Sequence, residues 1–326
     1  MKFIVVGDLH FKENNVEIST LLKNKIIETV KSENPDFLVI LGDTLDSNTS
    51  LNSILQTQTH NFLRELYKLV KVYLMVGNHD LPHNRAHLSK YHSFTALKEW
   101  GERMVVVDEP IISFEGKYKF VFSPYVPKGR FKECLETLGN LDDTLENVEY
   151  VFAHQEFNGC NYNGKAVNDG DPWPCEYPNV IAGHIHTHQN VRNNIHYTGI
   201  PVQHKFRDSP DNAIEIYKST KSGFRFERRD LHLPKKMMYD IIPDEIETLN
   251  ILDSGSIRVT IHCTVDVFQA AVTHPRVAEW KSKGFVVNNK TTREHVVVAP
   301  TTTSDYISEL KDSLDEELKN RFAKIF

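Results

Sequence analysis

Apolar residues fall in short unbroken stretches through the first half of the chain, and each stretch stops at a glycine or alanine followed by polar side chains. Phe3 to Val6, Phe37 to Leu41 and Val72 to Val76, with shorter runs at Tyr150 to Phe152 and Val180 to Ile181, predict strands buried on both faces, since a continuous apolar run leaves no side for water. Between the first three, apolar residues recur at helical spacing: Ile18, Leu21, Leu22 and Ile26 within residues 17–31, then Leu55, Phe62, Leu63, Leu66 and Leu69 within about 52–70. Strand and helix alternate, so the chain is expected to open as βαβαβ with right-handed crossovers.

After residue 100 the pattern turns to short runs at Met104 to Val107, Ile111 to Phe114, Tyr118 to Ser123, Ile195 to Tyr197, Ala213 to Tyr217 and Phe224 to Glu227. These predict a mixed or antiparallel second sheet. Leu233-Pro234-Lys235-Lys236 breaks the pattern and predicts a boundary, with residues 1–234 before it and a smaller α+β unit over 235–301 after it. The tail spacing predicts a strand at Ser256 to His262, a helix from about Val265 to Trp280, and strands near Phe285 to Val287 and Val296 to Val298. Over residues 302–326, Ile307, Leu310, Leu314, Leu318, Phe322 and Ile325 recur at three and four residues, predicting an amphipathic helix able to pack on the tail or to dock a partner.

Composition adds bounds. A chain of 326 residues with 40% hydrophobic and 25% charged residues can bury a full core and does not read as disordered. No apolar run approaches the roughly 20 residues of a membrane span, and the N-terminus enters a strand without a signal-peptide pattern, so an intracellular, cytoplasmic protein with no membrane partner is expected. Cys134, Cys160, Cys175 and Cys263 lack zinc-type spacing and read as reduced thiols, a Cys160–Cys175 disulfide being the alternative. The net charge of −6 argues against self-sufficient nucleic-acid binding. Local basic clusters temper that: Lys128, Arg130 and Lys132; Lys205 and Arg207; Arg225, Arg228 and Arg229; Lys235 and Lys236. Each reads first as a solvated face.

The candidate chemistry lies just past the ends of the five strands, in Gly7-Asp8-Leu9-His10, Gly42-Asp43-Thr44-Leu45-Asp46, Gly77-Asn78-His79-Asp80, Ala153-His154 and Gly183-His184-Ile185-His186. Carboxylates and imidazoles suit divalent first-row metals, and a paired centre needs roughly seven or eight such ligands with one oxygen shared between ions. In open α/β sheets, ligands bind at the carboxyl ends of strands, where all five blocks are predicted to lie. The isolated histidines His60, His83, His87, His92, His188, His196, His204 and His262 read as ordinary surface or core residues.

In this order the blocks resemble the calcineurin-like metallophosphoesterase superfamily, over roughly residues 1–232. The resemblance implies an α/β two-sheet sandwich flanked by helices, with a small α+β capping domain and a C-terminal helix. It also implies two divalent metal ions, manganese being expected, with Asp8, His10 and His186 holding one, Asn78, His154 and His184 the other, and Asp43 bridging. His79 would face the scissile phosphate, and Asp80 would orient it.

Superfamily members that dephosphorylate proteins typically carry glutamate at the position of Asp80 and arginine after the second block, where this chain has Ser47-Asn48. His154-Gln155-Glu156-Phe157-Asn158-Gly159 and Tyr197-Thr198-Gly199-Ile200-Pro201 are instead similar to the DNA-repair nuclease branch that includes the bacterial SbcD subunit, the meiotic recombination eleven nuclease and the phage recombination nuclease subunit. Eukaryotic and archaeal members commonly carry a second catalytic histidine at the position of Asp46, whereas SbcD-like members carry aspartate there, as this chain does. The resemblance implies a dimetal-dependent DNA exonuclease or endonuclease in repair and recombination, as part of an SbcCD-like complex. Implied with it are DNA as substrate, an SbcC-type coiled-coil ATPase as partner, a homodimer, for which Ile54 to Val70 and Leu88 to Trp100 could serve though core packing explains them equally well, and a bacterial or phage-infected cell. Hydrolysis of small phosphoesters and a metal-poor scaffold are the rival readings.

Overall fold

The computed structural model describes residues 1–46, 52–83, 86–162, 164–251 and 255–291. Its opening alternates as the apolar spacing predicts: β1 (Lys2–Val6), α1 (Val16–Glu33), β2 (Phe37–Ile40), α2 (Ser53–Leu69) and β3 (Lys71–Met75). Local chemistry sets the helix ends. Helix α1 stops at Asn34, which adopts a left-handed φ of 45° while its N–H bonds the Val30 carbonyl. Helix α2 starts beneath Asn52, whose side-chain oxygen accepts from the N–H groups of Ile54 and Leu55.

The chain continues through β4 (Met104–Val107), β5 (Ile111–Glu115), β6 (Tyr118–Ser123), α3 (Phe131–Glu136), α4 (Leu141–Leu145) and β7 (Val148–His154). A small hairpin of β8 (Asn161–Tyr162) and β9 (Lys165–Ala166) precedes β10 (Val180–Gly183), β11 (Gln189–Val191), β12 (Ile195–Tyr197), β13 (Ile214–Thr220) and β14 (Gly223–Arg229). Two six-stranded sheets result, ordered β14-β13-β1-β2-β3-β4 and β11-β12-β10-β7-β6-β5. Three of the late runs expected in the second sheet instead complete the first: β4 lies parallel to β3, and the β13–β14 hairpin returns antiparallel to β1, pairing Tyr217 with Phe3. Sequence order could not show this, because only the folded chain leaves the edges of β1 and β3 open for pairing.

Alternation along β1 explains the layers. Ile4 and Val6 face α1 and α2, packing with Leu22, Ile26, Phe62, Leu63 and Leu66. Phe3 and Val5 face the second sheet, in a core of Phe37, Tyr73, Phe120, Phe122, Phe152 and Tyr217. There the Phe3 ring stacks at 4.8 Å on Phe37 and at 4.7 Å on Tyr217. Beyond the second sheet, Val121 and Val151 pack under Phe131, Leu135, Leu141 and Leu145 of α3 and α4. The fold is therefore the α/β two-sheet sandwich flanked by helices.

The chain divides into two compact units, the first holding Met1–Met237 and the second beginning at Met238. A three-stranded sheet of β15 (Lys236–Ile241), β16 (Ser256–Cys263) and β17 (Val286–Thr291) leads into and builds the second, with β16 and β17 parallel. The single helix expected from Val265 to Trp280 is in fact two, α5 (Val265–Val272) and α6 (Pro275–Ser282). Pro275 forces His274 into an extended conformation, and His274 then caps α6 by accepting from the Arg276 N–H. The strand expected at Val296 to Val298 and the helix over 302–326 lie outside the described residues. All four cysteines are free, with Cys175 exposed and the other three buried. Among the described residues no helix is long and apolar enough to cross a membrane.

Candidate metal centre

The loops after β1 and β2 are joined by their backbones. His10 N–H bonds the Asp43 carbonyl at 2.9 Å and Phe11 N–H bonds that of Thr44 at 3.0 Å, carrying the parallel pairing past the strand ends. In the second sheet, β7 and β10 run parallel with Gly183 beside His154, so their polar ends emerge together. Close approach is possible because glycine stands at the crossings: a Cβ on Gly77 would lie 2.2 Å from Asp43 Oδ1, and one on Gly42 would lie 2.5 Å from His154 Nδ1. His10, Asp43 and His184 all hold positive φ (43°, 46° and 78°), which non-glycine residues adopt only where the surroundings enforce it.

The candidate ligands gather into two donor groups. In one, His154 Nε2 lies 3.1 Å from Asn78 Oδ1 and 3.4 Å from Asp43 Oδ1, while His184 Nδ1 lies 2.9 Å from the same amide oxygen and 3.3 Å from His154 Nε2. In the other, His10 Nε2 lies 3.1 Å from His186 Nε2 and 3.6 Å from Asp43 Oδ2. The two oxygens of Asp43 are thus divided between the groups. Asp8, fully buried, accepts from the His184 N–H through Oδ1 and leaves Oδ2 without a hydrogen-bond partner.

This arrangement fits cations. His154 Nδ1 sits 2.7 Å from the Leu41 carbonyl and must carry a proton there, so Nε2 is the atom turned toward the Asn78 and Asp43 oxygens, where it holds either a second proton or a lone pair aimed at a cation. Either way a positive charge, a proton or a metal ion, lies among Nε2 and these oxygens. Burial disfavours a charged ring, yet the Asp43 and Asp8 carboxylates outweigh it and raise His154 to about 9. Burial likewise opposes ionisation of Asp43, and the charges of His154, His10 and His79 overcome it, holding the group well below the usual carboxylate range.

Each imidazole is backed by an acceptor, as metal-binding histidines usually are. Leu41 O serves His154; Asp46 Oδ1 lies 3.2 Å from His10 Nδ1; Glu156 Oε2 approaches His184 at 3.8 Å and Asp208 Oδ1 approaches His186 at 3.9 Å. His184 and Lys128 hold Glu156 at about 2 against burial.

The role expected for Asp80 changes. Its carboxylate does not orient His79 but accepts the N–H groups of Gly77 (3.0 Å), Leu45 (3.0 Å) and Thr44 (3.3 Å), pinning the second block to the third. Burial and the neighbouring Asp43 push it up to about 7. His79 is oriented instead by the Asp46 carbonyl, 2.7 Å from its Nδ1, and its own N–H donates to Asp43 Oδ1 at 2.8 Å. With Nδ1 donating, Nε2 is free to exchange a proton. The ring stands on the His10 side, centroids 4.9 Å apart.

Sequence reasoning missed His204. It is buried, packs on His10 and His186 at 4.9 and 5.6 Å, and its Nε2 lies 3.1 Å from the Asp8 carbonyl. Burial and the two neighbouring histidines keep it neutral. No motif spacing marks it; only the return of the chain after β12 brings it in. His188 and His196 also have company, with Glu215, away from this centre.

Comparison with known proteins places these residues in context. The sequence profile of the family described as calcineurin-like phosphoesterase matches residues 1–188. Protein 244L of Invertebrate iridescent virus 6, named as a phosphoesterase, is 34% identical over 275 residues, spanning 82% of this chain and 96% of that protein. Protein 078R of Invertebrate iridescent virus 3, similarly named, is 37% identical over 234 residues, spanning 71% of this chain and 66% of the relative. The DNA double-strand break repair protein Mre11 of Methanococcus maripaludis is 22% identical over 205 residues, spanning 57% of this chain and 52% of that protein.

Proposed function

Because the chain belongs to the calcineurin-like phosphoesterases, we propose that it is a dimetal DNA nuclease, cutting phosphodiesters of a DNA strand with manganese as the working metal. The observation that carries the hydrolytic part is the division of one Asp43 carboxylate between two groups of imidazole and amide donors. Asp8, His10 and His186 would hold one ion and Asn78, His154 and His184 the other. Such a pair, when bound, supplies an activated water and neutralises the phosphate oxygens.

The chain's own groups do the rest. The Leu41 carbonyl fixes the His154 ring by a hydrogen bond to Nδ1, while Asp46, Glu156 and Asp208 stand near the outer nitrogens of His10, His184 and His186 as negative charges. His79, held at Nδ1 by the Asp46 carbonyl, offers Nε2 to the leaving oxygen as a proton donor or as a hydrogen-bond partner for developing charge. Asp80 keeps the second and third blocks in register.

DNA as the substrate is supported by the His154 to Gly159 stretch, by aspartate rather than glutamate at position 80, and by the likeness to the archaeal repair protein. The test is manganese-dependent cleavage of a labelled oligonucleotide, with Asp43→Ala expected to abolish both metal binding and cleavage. Turnover of a cyclic nucleotide far faster than any oligonucleotide would instead identify a small-phosphoester hydrolase. On the family resemblance we further propose that a coiled-coil ATPase works with a dimer of this chain in an infected or bacterial cell. The helix proposed to dock it, within 303–326, lies outside the described residues; unchanged ATPase binding after its deletion would remove that assignment.

A further inference from the structure

Four basic clusters stand out in the sequence, and the fold uses them unequally. Lys128 pairs with Glu156 at 2.6 Å and Asp169 at 2.9 Å, Arg130 with Glu133 and Lys132 with Glu136. Arg228 grips Asp211, Arg229 reaches Glu33 and Glu227, and Lys235 meets Asp230. Arg225 on β14 is exposed and, among the described residues, in no ion pair; so are Lys205 and Arg207, which lie together on one turn. The latter two line one hollow of about 620 Å³ together with Tyr162, His186 and Asp208.

That hollow opens beside the candidate metal centre, since His186 belongs to both. Asp208 forms no ion pair with either cation. Its Oδ2 accepts the N–H groups of His204 and Lys205 at 2.8 and 2.7 Å, and its Oδ1 faces His186, so the carboxylate shapes the 204–208 turn that presents Lys205 and Arg207. Tyr162 supplies a different surface. It sits on the β8–β9 hairpin, which Gln189 clamps through both the N–H and the carbonyl of Asn161. Its ring lies nearly parallel to His184, 15° apart at 6.2 Å, and is 44% exposed.

We propose that this hollow is a strand subsite: Lys205 and Arg207 receive the phosphate next to the scissile one, and Tyr162 stacks against the adjoining base. Two unpaired cations on a short turn match a phosphodiester, and a fixed, exposed aromatic face accepts any base without reading its identity. The assignment rests on the nuclease reading and deepens it, because a small phosphoester has no second phosphate to place there. It also accounts for an acidic chain acting on DNA, with positive charge concentrated where the strand leaves the centre.

The experiment compares the full chain with Lys205→Ala/Arg207→Ala and with Tyr162→Ala, on a single-stranded oligonucleotide and on bis(p-nitrophenyl) phosphate, which has one phosphodiester and no flanking phosphate. For the double variant, kcat/KM on the oligonucleotide is expected to fall about tenfold per cation, the worth of a charge-assisted hydrogen bond, while hydrolysis of the small diester stays within about twofold. Anisotropy of the labelled oligonucleotide in EDTA should show the same weakening, with the salt slope of binding reduced by about 0.7 per cation. Tyr162→Ala is expected to lose roughly tenfold on the oligonucleotide and little on one carrying an abasic site at that step. Equal losses on both substrates, or none on either, would overturn the subsite. Wild-type protein that hydrolyses the small diester and leaves every oligonucleotide intact would instead overturn the nuclease reading itself.

Discussion

His79 and Asp80 are adjacent in the chain and face different tasks, which single substitutions separate. His79 touches the Asp46 carbonyl through Nδ1 and keeps Nε2 available. His79→Ala is therefore expected to lower kcat by about 10²–10⁴-fold while calorimetry still finds two manganese ions bound with nearly unchanged affinity. Asp80→Ala leaves three buried N–H groups without an acceptor. Its expected cost is about 3–5 kcal/mol of stability with a metal affinity weaker by about 10–100-fold, read by thermal melting and by the same titration. Full activity of His79→Ala, or a melting temperature unchanged in Asp80→Ala, would contradict these roles. Lys23 gives a pH signature away from the centre. It is buried on α1 with Nζ 4.3 Å above the Phe11 ring, and burial lowers it to about 8. Charging it costs stability in the fold but not in the unfolded chain, so stability should rise with pH between about 8 and 10.5, where the folded state gives up its proton first. Lys23→Met is expected to gain on the order of 1–2 kcal/mol at pH 7, with the gain shrinking toward pH 10.5 in denaturant melts.

At the scale of elements, the centre depends on how closely three loops approach rather than on any one strand. Gly77 crosses the Asp43 carboxylate with no room for a methyl group, and the contact is to a group already fixed by the His79 N–H. Gly77→Ala should displace Asp43, losing metal binding in titration while α1 and α2 keep their far-UV signal. The apolar runs located all five strands that carry the candidate ligands, because a strand buried on both faces has to be continuously apolar. They could not assign β4, β13 and β14 to a sheet, since pairing depends on which edges the rest of the chain leaves open. Periodicity also merged α5 with α6, because a helical repeat of apolar residues can continue across a proline that the backbone cannot.

Across the whole molecule, the candidate metal centre gathers side chains from the ends of two sheets. Donors come from β1, β2 and β3 on one side and from β7 and β10 on the other. Ions bound there stabilise the folded state by mass action, and chelation should lower the melting transition of the unit containing Met1–Met237, with manganese restoring it in a concentration-dependent way. A transition insensitive to both would show that the donors bind no metal tightly in solution. The seven ligand candidates, the strands that carry them and the class of chemistry were all legible in the sequence, because ligand type and strand-end position are local properties that a one-dimensional pattern preserves. Only the tertiary structure decided that Asp80 pins loops while the Asp46 carbonyl orients His79, that His204 joins the centre, and that Lys205 and Arg207 line its flank. Those assignments rest on contacts between residues up to about two hundred positions apart, such as His204 with the Asp8 carbonyl. The free energy of such contacts depends on distance and burial in the fold, which no spacing along the chain encodes.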